Sequence, residues 1–336
     1  MTSDHAGQAA VLCGLGAALP PRAESNVELC RALDTSDEWI RTRTGITHRR
    51  IADAGVSTAD LATSAAIQAL ASFGPHPVQA LVLATTTPDH QMPATAPAVA
   101  ARLGLEGIAA FDVAAVCTGF LYALATAAGL IASHTANAVL VVGVDRMSLL
   151  PAPDDRTTRP LFADGAGAVV LRRGPATEPG ALGPLVLGSD GTHGDLLVAP
   201  HGGHMRMQGP DLFRHAVDRM CSASTHAVQK AGWRIEDVDR LVPHQANARI
   251  TSAVGRRLGI GPDRQVQNIE HIGNTSAASI PLALAQASTQ EALQPGHRTV
   301  LTAFGAGLTW GATTLIWPDL KPADHNPFYD TPRERT

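Results

Sequence analysis

Residues 111–133 read Phe-Asp-Val-Ala-Ala-Val-Cys-Thr-Gly-Phe-Leu-Tyr-Ala-Leu-Ala-Thr-Ala-Ala-Gly-Leu-Ile-Ala-Ser. The stretch predicts a short apolar strand that delivers Cys117, followed by a helix whose residues are apolar or small on every face. A helix without a polar face has to be enclosed on all sides, which places this one at the centre of the fold. Cys117 falls where the helix begins, close to unpaired N–H groups and the positive end of the helix dipole, and both favour thiolate over thiol. Two plainer readings compete with a nucleophile. The uncharged run of 20 residues at 113–132 is long enough by count to span a bilayer. It is rich in Ala and Gly, however, lacks flanking aromatic or basic anchors, and is followed by the strand-like Ala138-Val-Leu-Val-Val-Gly143. Taken alone, Cys117 would also pass for an inert core cysteine, since free Cys is among the most buried residue types.

Working outward, the chain has 336 residues, 45% hydrophobic and 17% charged, the make-up of a globular protein with a large core. One domain or two intimately packed ones would fit. A net charge of −4 argues against a general nucleic-acid binder. Lys230 and Lys321 are the only lysines, so any basic patch is built from arginine, which suits forked contacts to phosphate. Cys13, Cys30, Cys117 and Cys221 are widely spaced and imply neither a disulfide framework nor a zinc site. His201-Gly-Gly-His204 has a metal-like spacing but no third ligand, and no metal is expected. The first residues lack a basic region followed by an apolar core, so a cytoplasmic protein without a membrane partner is expected.

The periodicity predicts a strand over 11–19, helices over 26–33 and from Thr35-Ser-Asp-Glu38, a helix over 57–72 and a strand over 78–84. Helices and strands by turns indicate an α/β layered fold. The two halves also resemble each other. Val78-Gln-Ala-Leu-Val82 precedes a helix closing on Arg102-Leu-Gly-Leu105; Val238-Asp-Arg-Leu-Val242 precedes one closing on Arg257-Leu-Gly-Ile260. Each is followed by a short strand, a special turn, an Ala-rich helix and a Val-rich strand, which points to a duplication. On this alignment Cys117 falls near the pseudo-equivalent of Asn274, in Gly-Asn-Thr-Ser, at the N-termini of paired central helices. His244, in Val-Pro-His-Gln-Ala-Asn, ends a second-half strand, where open α/β sheets place their sites. A thiolate to attack an acyl carbon, an imidazole to lower the thiol's pKa and later donate a hydrogen bond, and an amide N–H₂ as second donor make a coherent set.

Six segments carry a family resemblance: Asp34-Thr-Ser-Asp-Glu-Trp-Ile40 with Arg43-Thr-Gly-Ile46, the Cys117 stretch, Phe162-Ala-Asp-Gly-Ala-Gly167, His244-Gln-Ala-Asn-Ala-Arg249, Gly273-Asn-Thr-Ser-Ala-Ala-Ser279 and Phe304-Gly-Ala-Gly-Leu-Thr-Trp-Gly311. The chain resembles the β-ketoacyl-acyl-carrier-protein synthase III family of the thiolase-like superfamily over about residues 10–317. The resemblance implies a five-layered αβαβα fold of two duplicated halves, 1–174 carrying the cysteine and 175–319 carrying His and Asn. A loosely ordered tail would occupy 320–336, and the chain would act as a homodimer. Asn274 sets it apart from elongating synthases, which resemble Cys-His-His, and from thiolases, which resemble Cys-His-Cys. Phe304-Gly-Ala-Gly307 separates it from the chalcone type, which carries a Gly-Phe-Gly-Pro-Gly turn.

By the same resemblance, an acyl-CoA loads Cys117, and malonyl-acyl-carrier protein then loses CO₂ and attacks the acyl-cysteine. Both are substrates, and no cofactor is implied. His244 and Asn274 would donate to the malonyl thioester oxygen. A second oxyanion hole would come from the backbone N–H groups of Cys117, Ala306 and Gly307. Ala306 stands where many relatives have Gly, and a positive φ would be costly there. Trp39 and Arg156 would sandwich the adenine of CoA, with Thr35 and Arg43 as polar contacts and Asn247 on the pantetheine arm. Arg249 and Arg256 fall about 20° apart on one helix with Arg257 adjacent; with the weaker Arg214 they would dock the acidic carrier protein. Met92 from the other subunit, Phe162, Leu196 and Met205 would line the acyl pocket. Two alternatives use the same cysteine: an acyltransferase acting on an alcohol or amine, which does not need Asn274, and a papain-like hydrolase, whose local cysteine signature is absent.

Overall fold

A computed structural model describes residues 7–323; residues 1–6 and 324–336, most of the expected tail, lie outside the described residues. The first half contains strand β1 (Gln8–Ala18), helices α1 (Asp37–Thr44) and α2 (Thr58–Phe73), strand β2 (Ala80–Ala84), helix α3 (Thr95–Arg102), strand β3 (Ala109–Val113), helix α4 (Gly119–Ala132), and strands β4 (Ala138–Arg146) and β5 (Asp164–Pro175). The second half contains strand β6 (Val186–Ser189), helix α5 (Gly209–Lys230), strand β7 (Arg240–Pro243), helices α6 (Ala248–Leu258) and α7 (Ser279–Thr289), and strands β8 (Arg298–Gly305) and β9 (Thr309–Ile316).

Local chemistry sets the helix ends. Ser57 caps α2 in a reciprocal box, with Asp60 N–H donating to the Ser57 hydroxyl (3.0 Å) and Ser57 N–H to the Asp60 carboxylate (2.8 Å). Ser36 caps α1, which stops at Gly45 in the left-handed conformation (φ 78). The helix expected over 26–33 is only Asn26–Leu29. Tertiary contacts override the local pattern there: the buried Asn26 amide donates to Asp37 (2.7 Å) and to the Ile46 carbonyl (2.8 Å), tying this turn to both ends of α1.

The duplication is visible in the sheets. The first is ordered β1-β5-β4-β2-β3, and the second β6-β9-β8-β7 when read from the matching edge. The β2–β4 and β7–β8 pairs are parallel, while β4–β5, β1–β5, β8–β9 and β9–β6 are antiparallel. The counterpart of β3 is reduced to one parallel bridge between Leu241 and Gln265. Helices α2 and α3 cover the outer face of the first sheet, and α5 and α6 that of the second. Helices α4 and α7 lie between the sheets in one continuous apolar core. The result is five layers, αβαβα.

Helix α4 is less enclosed than its composition predicts. Phe120, Leu121, Ala123, Leu124, Ala127 and Ile131 are buried, but Gly129 and Ala132 are exposed. Its first turns run through the centre and its last turn reaches the surface, where small residues expose little apolar area. Among the described residues no helix is long and apolar enough to cross a membrane.

Candidate active site

Each central helix is entered through one tight 3-10 turn, Val116–Thr118 before α4 and Ser276–Ala278 before α7. Both turns begin with a non-glycine residue at positive φ, Val116 at 47° and Ser276 at 50°. Such a conformation costs on the order of 1–3 kcal/mol, most for a β-branched residue. Matching the two turns at these residues sets Cys117 against Ala277, three residues past Asn274, which sharpens the alignment drawn from sequence. Nothing in the composition marks this strain.

Cys117, His244 and Asn274 line one cavity of about 490 Å³. Its walls also hold Trp39, Arg43, Phe162, Phe213, Asn247 and Gly305. Gly305 is needed for close approach: a Cβ there would lie 3.0 Å from the Cys117 nitrogen. Ala306 and Gly307 do not line the cavity, and the positive φ of this turn falls on Gly307 (134°) rather than on Ala306. The strain feared at Ala306 therefore does not arise. Thr118 and Thr309 share a 2.6 Å hydrogen bond that ties the cysteine turn to the Gly305 turn. Sequence reasoning missed this pair, because nothing local links positions so far apart in the chain.

The electrostatics correct one expectation. Burial pushes the Cys117 thiol up to about 12 and outweighs the benefit of the helix start, so the resting group is a thiol. Burial also holds His244 down at about 3. The imidazole is neutral and supplies no positive charge to lower the thiol's pKa. Both His244 ring nitrogens are buried without a hydrogen-bond partner among the described residues. Asn274 is fixed on every side but one. Its backbone N–H donates to the Leu161 carbonyl and its carbonyl accepts from Ala163 N–H, both at 2.9 Å. Its side-chain oxygen accepts from Ser276 N–H (2.9 Å), and among the described residues its N–H₂ makes one long 3.5 Å hydrogen bond to the Ala246 carbonyl, which leaves its second N–H to donate.

Gly273 makes that placement possible, at φ 85° and ψ −175°, a region essentially reserved for glycine. Behind it lies Arg49, fully buried, donating to the Pro160 and Glu24 carbonyls (3.1 and 3.3 Å) and to Asn26. Burial pushes Arg49 down to about 10. Arg49 thereby pins the segment that hydrogen-bonds Asn274, a role with no sequence signature.

The remaining expected positions scatter. Arg43 stands over the Trp39 ring at 5.4 Å, whereas Arg156 donates to the Asp34 carbonyl (3.2 Å). Thr35 keeps a buried hydroxyl with no hydrogen-bond partner among the described residues. Asn247 caps α6, accepting from Arg249 N–H (2.9 Å) and donating to the Arg43 carbonyl (3.0 Å), so it joins the cavity wall to α1. Phe162 lines the cavity; Leu196 and Met205 are buried behind it, and their neighbours Leu197 and Met207 face it instead. Met92 is 86% exposed on the single chain. Arg249 and Arg256 are exposed and, with Arg41, line an open depression that shares Arg249 with the cavity. Arg214 and Arg257 are paired with Asp211 and Asp218, which blunts their share of the patch.

Comparison with known proteins agrees with this fold. Residues 111–191 match the family model "3-Oxoacyl-[acyl-carrier-protein (ACP)] synthase III", and residues 228–317 match its C-terminal counterpart. The chain is 53% identical to β-ketoacyl-[acyl-carrier-protein] synthase III 3 of Streptomyces coelicolor, covering 94% of this chain and 99% of that protein. It is 50% identical to the synthase III of Pseudomonas aeruginosa, covering 94% and 98%. The crystal structure of the Pseudomonas aeruginosa PAO1 synthase III superposes with a TM-score of 0.91 at 51% identity, over 94% of this chain and 100% of that one. The priming β-ketosynthase of the R1128 polyketide pathway superposes at 0.88 with 35% identity, over 95% and 99%.

Proposed function

The chain belongs to the 3-oxoacyl-[acyl-carrier-protein] synthase III family, and on that premise we propose how its two halves divide a decarboxylative condensation. The protein is a condensing transferase, and the finer reading is an acyltransferase acting through an acyl-cysteine. Cys117 sulfur bonds to the acyl carbon of a short acyl-CoA and the CoA thiolate leaves. Malonyl-acyl-carrier protein then enters. His244 and Asn274 donate to its thioester oxygen, the bond to the carboxylate breaks, and CO₂ departs with an enolate left behind. The enolate carbon attacks the acyl group, and Cys117 leaves as thiolate.

The observation that carries this reading is the pair of donors that line the thiol's cavity. His244, whose ring nitrogens have no hydrogen-bond partner among the described residues, and Asn274, whose oxygen is committed to Ser276 N–H and whose N–H₂ makes one long 3.5 Å bond to the Ala246 carbonyl, both line the cavity that holds the thiol. A neutral imidazole keeps one N–H to donate and offers no charge to quench the enolate.

Trp39, Arg43 and Thr35 would hold the nucleotide end of CoA, with Arg156 swinging from Asp34 to the free face of the ring, and Arg249 and Arg256 would receive the carrier protein. Strand β3 pairs on one edge only among the described residues, and with the exposed Met92 it supports a homodimer that completes the acyl pocket. The reading sets the enzyme in the cytoplasm, with no cofactor. Intact-protein mass spectrometry with a panel of acyl-CoAs, followed by malonyl-acyl-carrier protein, tests it. Acylated Cys117 and a β-ketoacyl product are expected; an acyl-enzyme that never releases CO₂ would instead favour transfer to an alcohol or amine.

A further inference from the structure

Cys117 and Gly305 both line the cavity, but the two threonines that join their turns do not. Thr118 follows Cys117 and is fully buried, and Thr309 opens β9 just after β8 closes on Gly305. Thr118 closes its own turn twice on one acceptor, since its N–H (3.1 Å) and its hydroxyl (2.6 Å) both donate to the Ala115 carbonyl. The Thr309 hydroxyl lies 2.6 Å from that of Thr118, 3.1 Å from the Ala306 carbonyl and 3.4 Å from the Ala115 carbonyl. The hydroxyl protons satisfy this set in either of two directions. Thr309 donates to Thr118 and Thr118 to Ala115, or Thr118 donates to Thr309 and Thr309 to Ala306. Both directions give a chain of hydroxyls that ends on a backbone carbonyl and joins residues 115–118 to residues 305–309. On its other flank the Gly305 turn is held by Asp190, which exchanges two backbone hydrogen bonds of 2.8 Å with Leu308.

We propose that Thr118 and Thr309 are positioning residues for acylation, which set the gap between the Cys117 backbone N–H and the Gly305 turn where the acyl oxygen has to sit. The inference rests on Cys117 being the acylated nucleophile. No bond to either threonine is made or broken in the reaction. A Cβ on Gly305 would stand 3.0 Å from the Cys117 nitrogen and 3.3 Å from the Thr118 nitrogen, so no side chain props the two turns apart. Their spacing is fixed by what ties them from behind. The cysteine turn is also strained at Val116, and such a conformation persists only where its surroundings over-determine it. The acyl oxygen gains negative charge as the S–C bond forms, and a donor stabilises it best when already aimed at its place. Asn274 is held by other contacts, to Leu161, Ala163 and Ser276, so the threonine pair serves acylation rather than the loss of CO₂.

The test is the single-turnover rate of acyl-Cys117 formation across a range of acyl-CoA concentrations, read by mass spectrometry on the full chain, for wild type, Thr309→Val, Thr309→Ser, Thr118→Val and the double valine variant. Thr309→Val leaves the Thr118 hydroxyl its Ala115 acceptor, so no buried donor is orphaned. Its maximal acylation rate should fall at least about tenfold, with the half-saturating acyl-CoA concentration within about twofold of wild type. CO₂ release from malonyl-acyl-carrier protein should stay within a few-fold, and Thr309→Ser, which keeps the hydroxyl, should acylate within a few-fold of wild type. The double variant should be no slower than the slower single one, because both remove the same link. Wild-type acylation by Thr309→Val, no rescue by serine, losses that multiply in the double variant, or an equal fall in CO₂ release would each overturn the assignment. If Thr309→Val does not fold, Thr118→Val and Thr309→Ser read the same link from its two ends. Failure of wild-type Cys117 to take an acyl group would instead strike the reading on which this inference rests, so the two failures are distinguishable.

Discussion

Gly273→Ala perturbs the placement of Asn274 without touching any reacting group. An alanine there must hold a backbone conformation that costs about 1–3 kcal/mol outside glycine. Its Cβ would lie 2.8 Å from the Ala163 Cβ and 3.1 Å from the Arg49 Cβ, both on well-anchored backbone. Overpacking of that kind adds about 1–3 kcal/mol. The sum, about 2–6 kcal/mol, lies at or below the lower end of the usual 5–15 kcal/mol of net stability. The variant should therefore fold, with a Tm lower by on the order of 5–10 °C. Relief comes from moving residues 273–276, and a displacement near 1 Å is worth about a hundredfold in rate. Decarboxylation of malonyl-acyl-carrier protein should fall by about that factor. Acylation of Cys117 should stay within a few-fold, because the cysteine turn belongs to the other half. Adding Ala163→Gly removes the closer contact but not the backbone cost, so stability should return only in part. Wild-type Tm and condensation in Gly273→Ala, or an equal loss of acylation and decarboxylation, would refute the reasoning.

Three further outcomes follow from the same geometry. Since His244 is held near 3 in the fold against 6.5 in an open chain, the unfolded chain binds its proton first as pH falls. Stability should therefore drop through the window from about 6.5 to about 3 with a slope near 1.4 kcal/mol per pH unit from this group, and His244→Gln should flatten that part of a denaturant-midpoint profile; parallel profiles would contradict it. Trp39→Ala should raise the KM for acyl-CoA about tenfold with little change in kcat, as expected for binding that is equal in ground and transition states; a pure kcat loss would count against the assigned contact. Arg256→Glu should raise the KM for malonyl-acyl-carrier protein about tenfold at low salt, fading as salt rises, while Cys117 acylation is unchanged; a salt-independent effect would remove Arg256 from the docking face.

The sequence exposed the repeated order of elements because each half must bury the same layers. It exposed Cys117, His244 and Asn274 because each stands at the end of an apolar strand or the start of an apolar helix. It did not expose Arg49, whose role depends on contacts between segments distant in the chain. The thiol's protonation was also hidden. A helix start argues for thiolate, and only the depth of burial shows that desolvation prevails. The cavity lining was read one residue out of phase at Leu196 and two at Met205, since Leu197 and Met207 pair across a two-stranded ribbon and line the cavity. Side-chain direction in so short a ribbon is set by its register, which local pattern does not reveal.

The division of labour between the halves is tested most directly by Asn274→Ala in single turnover, with acyl-Cys117 and released CO₂ followed in the same reaction. Near-normal formation of acyl-Cys117 with CO₂ release slowed by at least about a hundredfold is the predicted result. Equal slowing of both steps would contradict it.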